Sequence, residues 1–283
     1  MNSTQKYDII GKHIGTSKGR ARLAASMIQP LRRRRDYTSV GRKAFYVEAL
    51  PDGALSVYDK DPDVTAYVVS EEGENIIAVA KPTRVQVPLF ELASNPQIPL
   101  TQIKERRFDL VERSVDLGKA EIQAEEDTKV FATIDAMATD PTNPNPDIPV
   151  AGALTANALA DAFGEIERSD LRVANVFMNA KNYKDLRKWD RDTLDIESQA
   201  VLLKTGLMAT LWGAKIIVSR IVPENTVYCC AEPEFFGRIP VRTELTVLSA
   251  DDPVNRMIGF SIFENIGVGV YNPFASQRLI ITP

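Results

Sequence analysis

Histidine and cysteine are nearly missing from this sequence. One histidine, His13, and two adjacent cysteines, Cys229 and Cys230, serve all 283 residues, which excludes zinc sites built from spaced Cys and His pairs. The cysteines stand in TVYCCAE, a strand-like stretch in which successive side chains point to opposite faces. A disulfide between such neighbours would be strained, so two reduced thiols are expected, at least one of them packed in the core. Missing too is any run of about eighteen or more apolar residues. The opening MNSTQKYDIIGKHIG lacks the short apolar core of a secretory signal, which predicts a soluble protein made in the cytoplasm.

What is present is a globular composition with an uneven charge. Apolar residues make up 44% and charged residues 25%, enough for a folded core in one large domain or two modest ones. The net charge of −4 conceals a division. Residues 1–43 hold eleven Lys and Arg against two Asp, or +9, and the remainder holds 23 against 36, or −13. The chain reads as an acidic body with a basic arm.

The arm carries Lys18, Arg20, Arg22 and the run Arg32-Arg33-Arg34-Arg35. From Ala44 strand-like stretches follow (AFYVEAL, ALSVYD, TAYVVS, NIIAVA), separated by the turn signals Pro51-Asp52-Gly53, Asp61-Pro62-Asp63 and Glu72-Gly73-Glu74. They predict two long hairpins, or one with embellishments. Apolar residues at Phe108, Val111, Val115, Ile122, Val130, Ile134 and Met137 predict a long amphipathic helix around 104–138, in two parts because of Gly118. TDPTNPNPDIPV, with four prolines, ends it and marks a boundary. TANALADAFGEIER predicts a helix capped by Thr155 with Leu159, Phe163 and Ile166 on one face, and a further helix begins at Asn179 with Tyr183 and Leu186 one turn apart. From Gly206 on, the text is mostly strand. Strands and helices come in blocks, which predicts an α+β fold.

Catalytic motifs fail on inspection. Gly15-Thr16-Ser17-Lys18-Gly19 has the G-x-S-x-G form, yet the sole histidine precedes the serine and no buried strand leads into it, so a hydrolase using Ser17 and His13 is the weakest reading. Asp59, Asp61 and Asp63 open like a calcium loop, but Val64 and Ser70 occupy the positions of the required glycine and glutamate. Gly267 and Gly269 begin a dinucleotide fingerprint that Asn272 breaks. Glu125, Glu126 and Asp127 read as a solvated helix face whose carboxylates fan apart. No enzyme, cofactor or metal is expected. The arginine run suits phosphates without reading base sequence, or equally acidic patches on neighbouring chains.

An ordered series in the second half resembles the major capsid proteins of tailed bacteriophages, the Hong Kong 97-type fold. Met178-Asn179-Ala180-Lys181-Asn182-Tyr183 followed by Leu186 is similar to the family's strand-to-helix passage. Gly206, Leu211-Trp212-Gly213, Ile216-Ile217-Val218-Ser219, Val222-Pro223-Glu224-Asn225-Thr226, Gly237, Pro240-Val241-Arg242, Glu264, Gly267 and Asn272-Pro273-Phe274-Ala275 follow in order. The resemblance implies a basic N-terminal arm at 1–43, an E-loop β-hairpin at 44–84, a peripheral domain with a long spine helix at 85–150, an axial domain at 151–254, and a return to the peripheral domain at 255–283. It implies a structural subunit of an icosahedral phage head in the virion, assembled in the host bacterial cytoplasm as hexamers and pentamers around double-stranded DNA. The implied partners are copies of itself, a scaffold that is separate unless the chain is a processed form, portal, and decoration or cement proteins, with no membrane. Tyr58, Tyr67 and Val69 are then the expected E-loop interface, and Lys18, Arg20, Arg22 and Arg32 to Arg35 the DNA-facing or inter-subunit cations. An encapsulin-like shell around a cargo enzyme is the alternative reading.

Overall fold

The computed structural model describes residues 37–60, 83–101, 110–189 and 210–282. In chain order its strands are β1 (Tyr46–Ala49), β2 (Val57–Lys60), β3 (Thr83–Gln86), β4 (Leu89–Ser94), β5 (Gln97–Pro99), β6 (Ile148–Ala151), β7 (Val173–Met178), β8 (Thr210–Leu211), β9 (Ala214–Val218), β10 (Thr226–Ala231), β11 (Gly237–Ser249), β12 (Met257–Gly267), β13 (Gly269–Val270) and β14 (Ser276–Thr282). The helices are α1 (Leu110–Thr139), α2 (Ala156–Glu167), α3 (Ala180–Leu186) and the single turn α4 (Pro233–Phe236). The fold is α+β, as the block pattern predicts.

The chain forms two compact units. The larger comprises, of the described residues, 39–60, 83–92, 124–189, 210–244 and 264–282. Its centre is a mixed sheet in the order β6-β14-β10-β7-β9-β8. The middle strand β10 is buried from Val227 to Ala231, so it must be apolar on both faces, and TVYCCA supplies that. Both cysteines are free and fully buried. Burial raises both thiols well above their ordinary range, which keeps them protonated and inert.

On one face of this sheet Phe177 and Tyr228 stand opposite each other in register, and Phe131 of α1 packs on both rings at 5.5 and 5.8 Å. Helix α2 lies against β14, β10 and β7. Its Leu159, Phe163 and Ile166 are buried, and the Thr155 hydroxyl accepts from the Ala158 amide at 3.3 Å, both as expected. Asn179 caps α3 by accepting from the Lys181 amide, and its own amide group donates to the Val222 carbonyl at 2.8 Å. Asn182 reaches the Thr226 carbonyl in the same way at 3.0 Å. The Met178-to-Leu186 passage is therefore a joint that ties a helix start to the turn before β10.

The smaller unit contains, of the described residues, 37–38, 93–101, 110–123 and 245–263. There β5 pairs antiparallel with β12 through Ile98 and Ile258. Gly118 does not break α1, which runs unbroken for 30 residues. A Cβ at this position would come within 2.6 Å of Ile262 Cδ1, so the glycine serves close packing at a small cost in helix propensity.

The other large sheet has the order β1-β11-β12-β4, with β13 on β11 and β5 on β12. Its edge strand β1 holds most of AFYVEAL and pairs in parallel with β11, Tyr46 opposite Arg238. It is not an arm of a hairpin; among the described residues the antiparallel pair of this region is β2 with β3.

Candidate functional site

The chain enters the larger unit through a carboxylate. Asp127, fully buried on α1, accepts from Ser39 Oγ at 2.8 Å, Val40 N at 2.9 Å and Gly41 N at 2.8 Å. Gly41 is required by closeness, because a Cβ there would lie 2.7 Å from Asp127 Oδ1. The next residue, Arg42, binds three acids: Glu126 at 2.5 Å, Glu264 at 3.2 Å and Glu244 at 3.3 Å. Glu126 and Glu264 are each 1% exposed, and Glu264 Oε1 has no hydrogen-bond partner among the described residues.

Two buried carboxylates share one guanidinium, and the protonation states reflect it. Burial, and then the charge of Glu126, push the Glu264 carboxyl up to about 7 against the pull of Arg42. Burial also raises Glu126, with Arg42 opposing. Burial works against the charge of Arg42, but the hydrogen bond and charge of Glu126 and the charges of Glu264 and Glu244 outweigh it and raise its pKa. This corrects the reading of residues 125–127 as a solvated face. Glu125 alone fits it, pairing with Lys129 at the surface. The missed signal was spacing: Ile122, Glu126, Val130 and Ile134 lie four apart, so Glu126 stands inside the apolar stripe.

A second ion cluster fastens the same helix to β14. Arg278 holds Asp147 with two bonds of 2.7 and 2.5 Å and also binds Asp135, which accepts from the Tyr228 hydroxyl at 3.1 Å. The hydrogen bond of Asp147 comes first among the causes that raise the Arg278 pKa. Neither cluster has the open, convergent geometry of a catalytic site.

The base of the β2–β3 pair carries an aromatic groove of about 570 Å³, lined by Val57, Tyr58, Phe235, Arg238, Tyr271 and Phe274. Arg238 lies over the rings of Tyr58 and Tyr46 at 5.2 and 5.6 Å and pairs with Glu48 at 3.0 Å. Tyr58 is half-buried within its own chain, 6.2 Å from the Tyr271 ring. Its companions Tyr67 and Val69 lie outside the described residues, as do Lys18, Arg20, Arg22, Arg32, Arg33, Arg34, Arg35, His13 and Ser17. Asp59 pairs with Arg84 across the hairpin. Gly267 and Gly269 pack against Val87 and Pro88 instead of framing a cofactor loop. Among the described residues no cluster of His, Cys, Asp or Glu suits a metal, and no helix is long and apolar enough to cross a membrane.

No protein-family model matches the chain, and no curated protein matches its sequence. Solved structures do match. The capsid structure of the cyanophage P-SCSP1u superposes with a TM-score of 0.67 at 12% identity, covering 90% of this chain and 92% of that one. The mature capsid of bacteriophage PhiM1 gives 0.67 at 13% identity over 90% and 91%. The capsid of an empty GTA particle gives 0.59 at 18% identity over 93% and 98%. Over about 90% of its length the chain has the fold of phage and GTA capsid proteins, the Hong Kong 97-type fold that its sequence resembles.

Proposed function

We propose that this protein is the structural subunit of an icosahedral phage head, assembling as hexamers and pentamers to enclose double-stranded DNA, and that it is not an enzyme. The observation that carries the reading is the superposition on phage capsid chains over 90% of its length, with 92% of the cyanophage chain covered in return. In this reading residues 1–43 form the basic arm and 44–84 the E-loop. Residues 85–150 make the peripheral domain with α1 as its spine, 151–254 the axial domain, and 255–283 the return. The β2–β3 pair, with residues 61–82 between its strands, supports the E-loop assignment, and the length of α1 supports the spine.

A ribbon of two short strands is marginal alone and exposes pairing edges, so its place is across a neighbouring copy. Tyr58, Tyr67 and Val69 are the proposed anchors of that contact. Repetition about closed axes turns individually weak contacts into a stable shell. The remaining proposed partners are a scaffold, a portal, and decoration or cement proteins, and the working location is the virion.

Electron microscopy of the protein expressed with its scaffold tests this directly. Large hollow particles are expected; a protein that stays monomeric under every assembly condition overturns the reading. Shells that form without scaffold and hold a protein cargo would favour the encapsulin-like alternative.

A further inference from the structure

A second cavity lies apart from the ion clusters described above, at the β8–β9 side of the mixed sheet. It measures about 810 Å³, and its lining includes Lys43, Arg172, Thr210, Lys215 and Glu232. Local geometry brings these residues together. Strands β7 and β9 run parallel with Asn175 beside Lys215, and Thr210 is the antiparallel partner of Lys215. The two-residue turn Trp212-Gly213, with φ of 50° and 86°, sets that last pairing. Arg172 lies over the turn, its Nη2 3.0 Å from where a Gly213 Cβ would stand. The Asn175 amide donates to the Lys43 carbonyl at 2.9 Å, which brings the end of the basic segment to the cavity's edge.

Lys43, Arg172 and Lys215 are exposed, and among the described residues none has an acidic partner. Three like charges around one cavity repel unless an anion sits among them. Among the described residues only Glu232 opposes them in the lining. Among the described residues no aromatic side chain lines the cavity to stack on a base, and no recognition helix enters it. The chemistry suits a repeating anion held by charge alone.

We propose that Lys43, Arg172 and Lys215 form a binding site for the phosphates of duplex DNA. This rests on the shell reading for the presence of DNA. Nucleic acid is favoured over a neighbour's carboxylates because residues 1–36, shortly before Lys43 in the sequence, hold nine more Lys and Arg, a cation supply that suits a polyanion of about one charge per 1.7 Å.

The test measures binding of the full-length protein to a short labelled duplex of arbitrary sequence between about 50 and 200 mM salt. Each lost phosphate contact lowers the steepness of log K against log salt by about 0.9. The Lys43→Ala/Arg172→Ala/Lys215→Ala variant should therefore lose about 2 to 3 from the slope, while Lys43→Arg/Arg172→Lys/Lys215→Arg keeps it. Should the triple alanine variant not fold, each single variant should lose about 1. An unchanged slope overturns the site, as does a wild-type protein that binds no DNA. Loss of particles in the alanine variant with the slope unchanged would assign the cations to contacts between copies, and likewise overturns it. A wild-type protein that shows the slope difference but forms no particles refutes the shell and leaves the phosphate site standing.

Discussion

Arg42 is the sole cation bound to Glu126 and Glu264 among the described residues, and both carboxylates are 1% exposed. Truncation to alanine would strand two buried acids, a loss of about 3 to 5 kcal/mol by the cost of breaking a buried pair. Chemical denaturation of Arg42→Ala against wild type measures it. The same trio predicts a pH dependence. The Glu264 carboxyl is raised from an ordinary 4.5 to about 7, so the unfolded chain releases its proton earlier than the folded one. Stability from this group is complete below 4.5 and falls as pH rises through 7. The melting temperature should therefore be higher near pH 5 than near pH 8, and Glu264→Gln should flatten that difference by removing the titration. A slope that survives in Glu264→Gln would show that other groups set it.

At the scale of elements, what the sequence disclosed follows locality. Helices α2 and α3 were legible because cap, periodicity and stop all lie within a dozen residues, from Thr155 to Ile166 and from Asn179 to Leu186. The parallel pairing of β1 with β11 was not, since it joins Tyr46 to Arg238 and no local pattern encodes a partner so distant. The burial of Glu126 and Asp127 escaped for a related reason: their partners Arg42 and Gly41 lie 84 and 86 residues away. Gly118 suggests a break in the helix because its packing partner, Ile262, is distant in sequence.

The β2–β3 pair is weakly supported by the described residues of its own chain. Apart from half-buried Tyr58 and Val85 its residues are exposed, and Asp59–Arg84 is a surface ion pair of the kind worth little. Its amides should exchange with deuterium quickly in the free subunit and become protected in assembled particles. The buried strand β10 should stay protected in both. Equal exchange of the hairpin in the two states would remove it from the assembly contacts.

Over the whole molecule the division of charge constrains assembly. Acidic bodies brought together repel, and residues 1–36, with nine Lys and Arg against two Asp, are the segment that offsets this. Deleting 1–36 leaves 25 Lys and Arg against 36 Asp and Glu, or −11, while the described anchor from Ser39 to Asp127 remains in place. The truncated chain should therefore fold with its ion clusters intact yet stay dispersed at low ionic strength. Added salt, by shortening the Debye length from about 30 Å at 0.01 M to about 8 Å at 0.15 M, should promote whatever association remains. The full-length chain should show the opposite trend, because salt weakens attraction between its arm and acidic surfaces. Sedimentation of both chains across that salt range separates the two cases, and parallel salt responses would show that arm charge does not govern how copies meet.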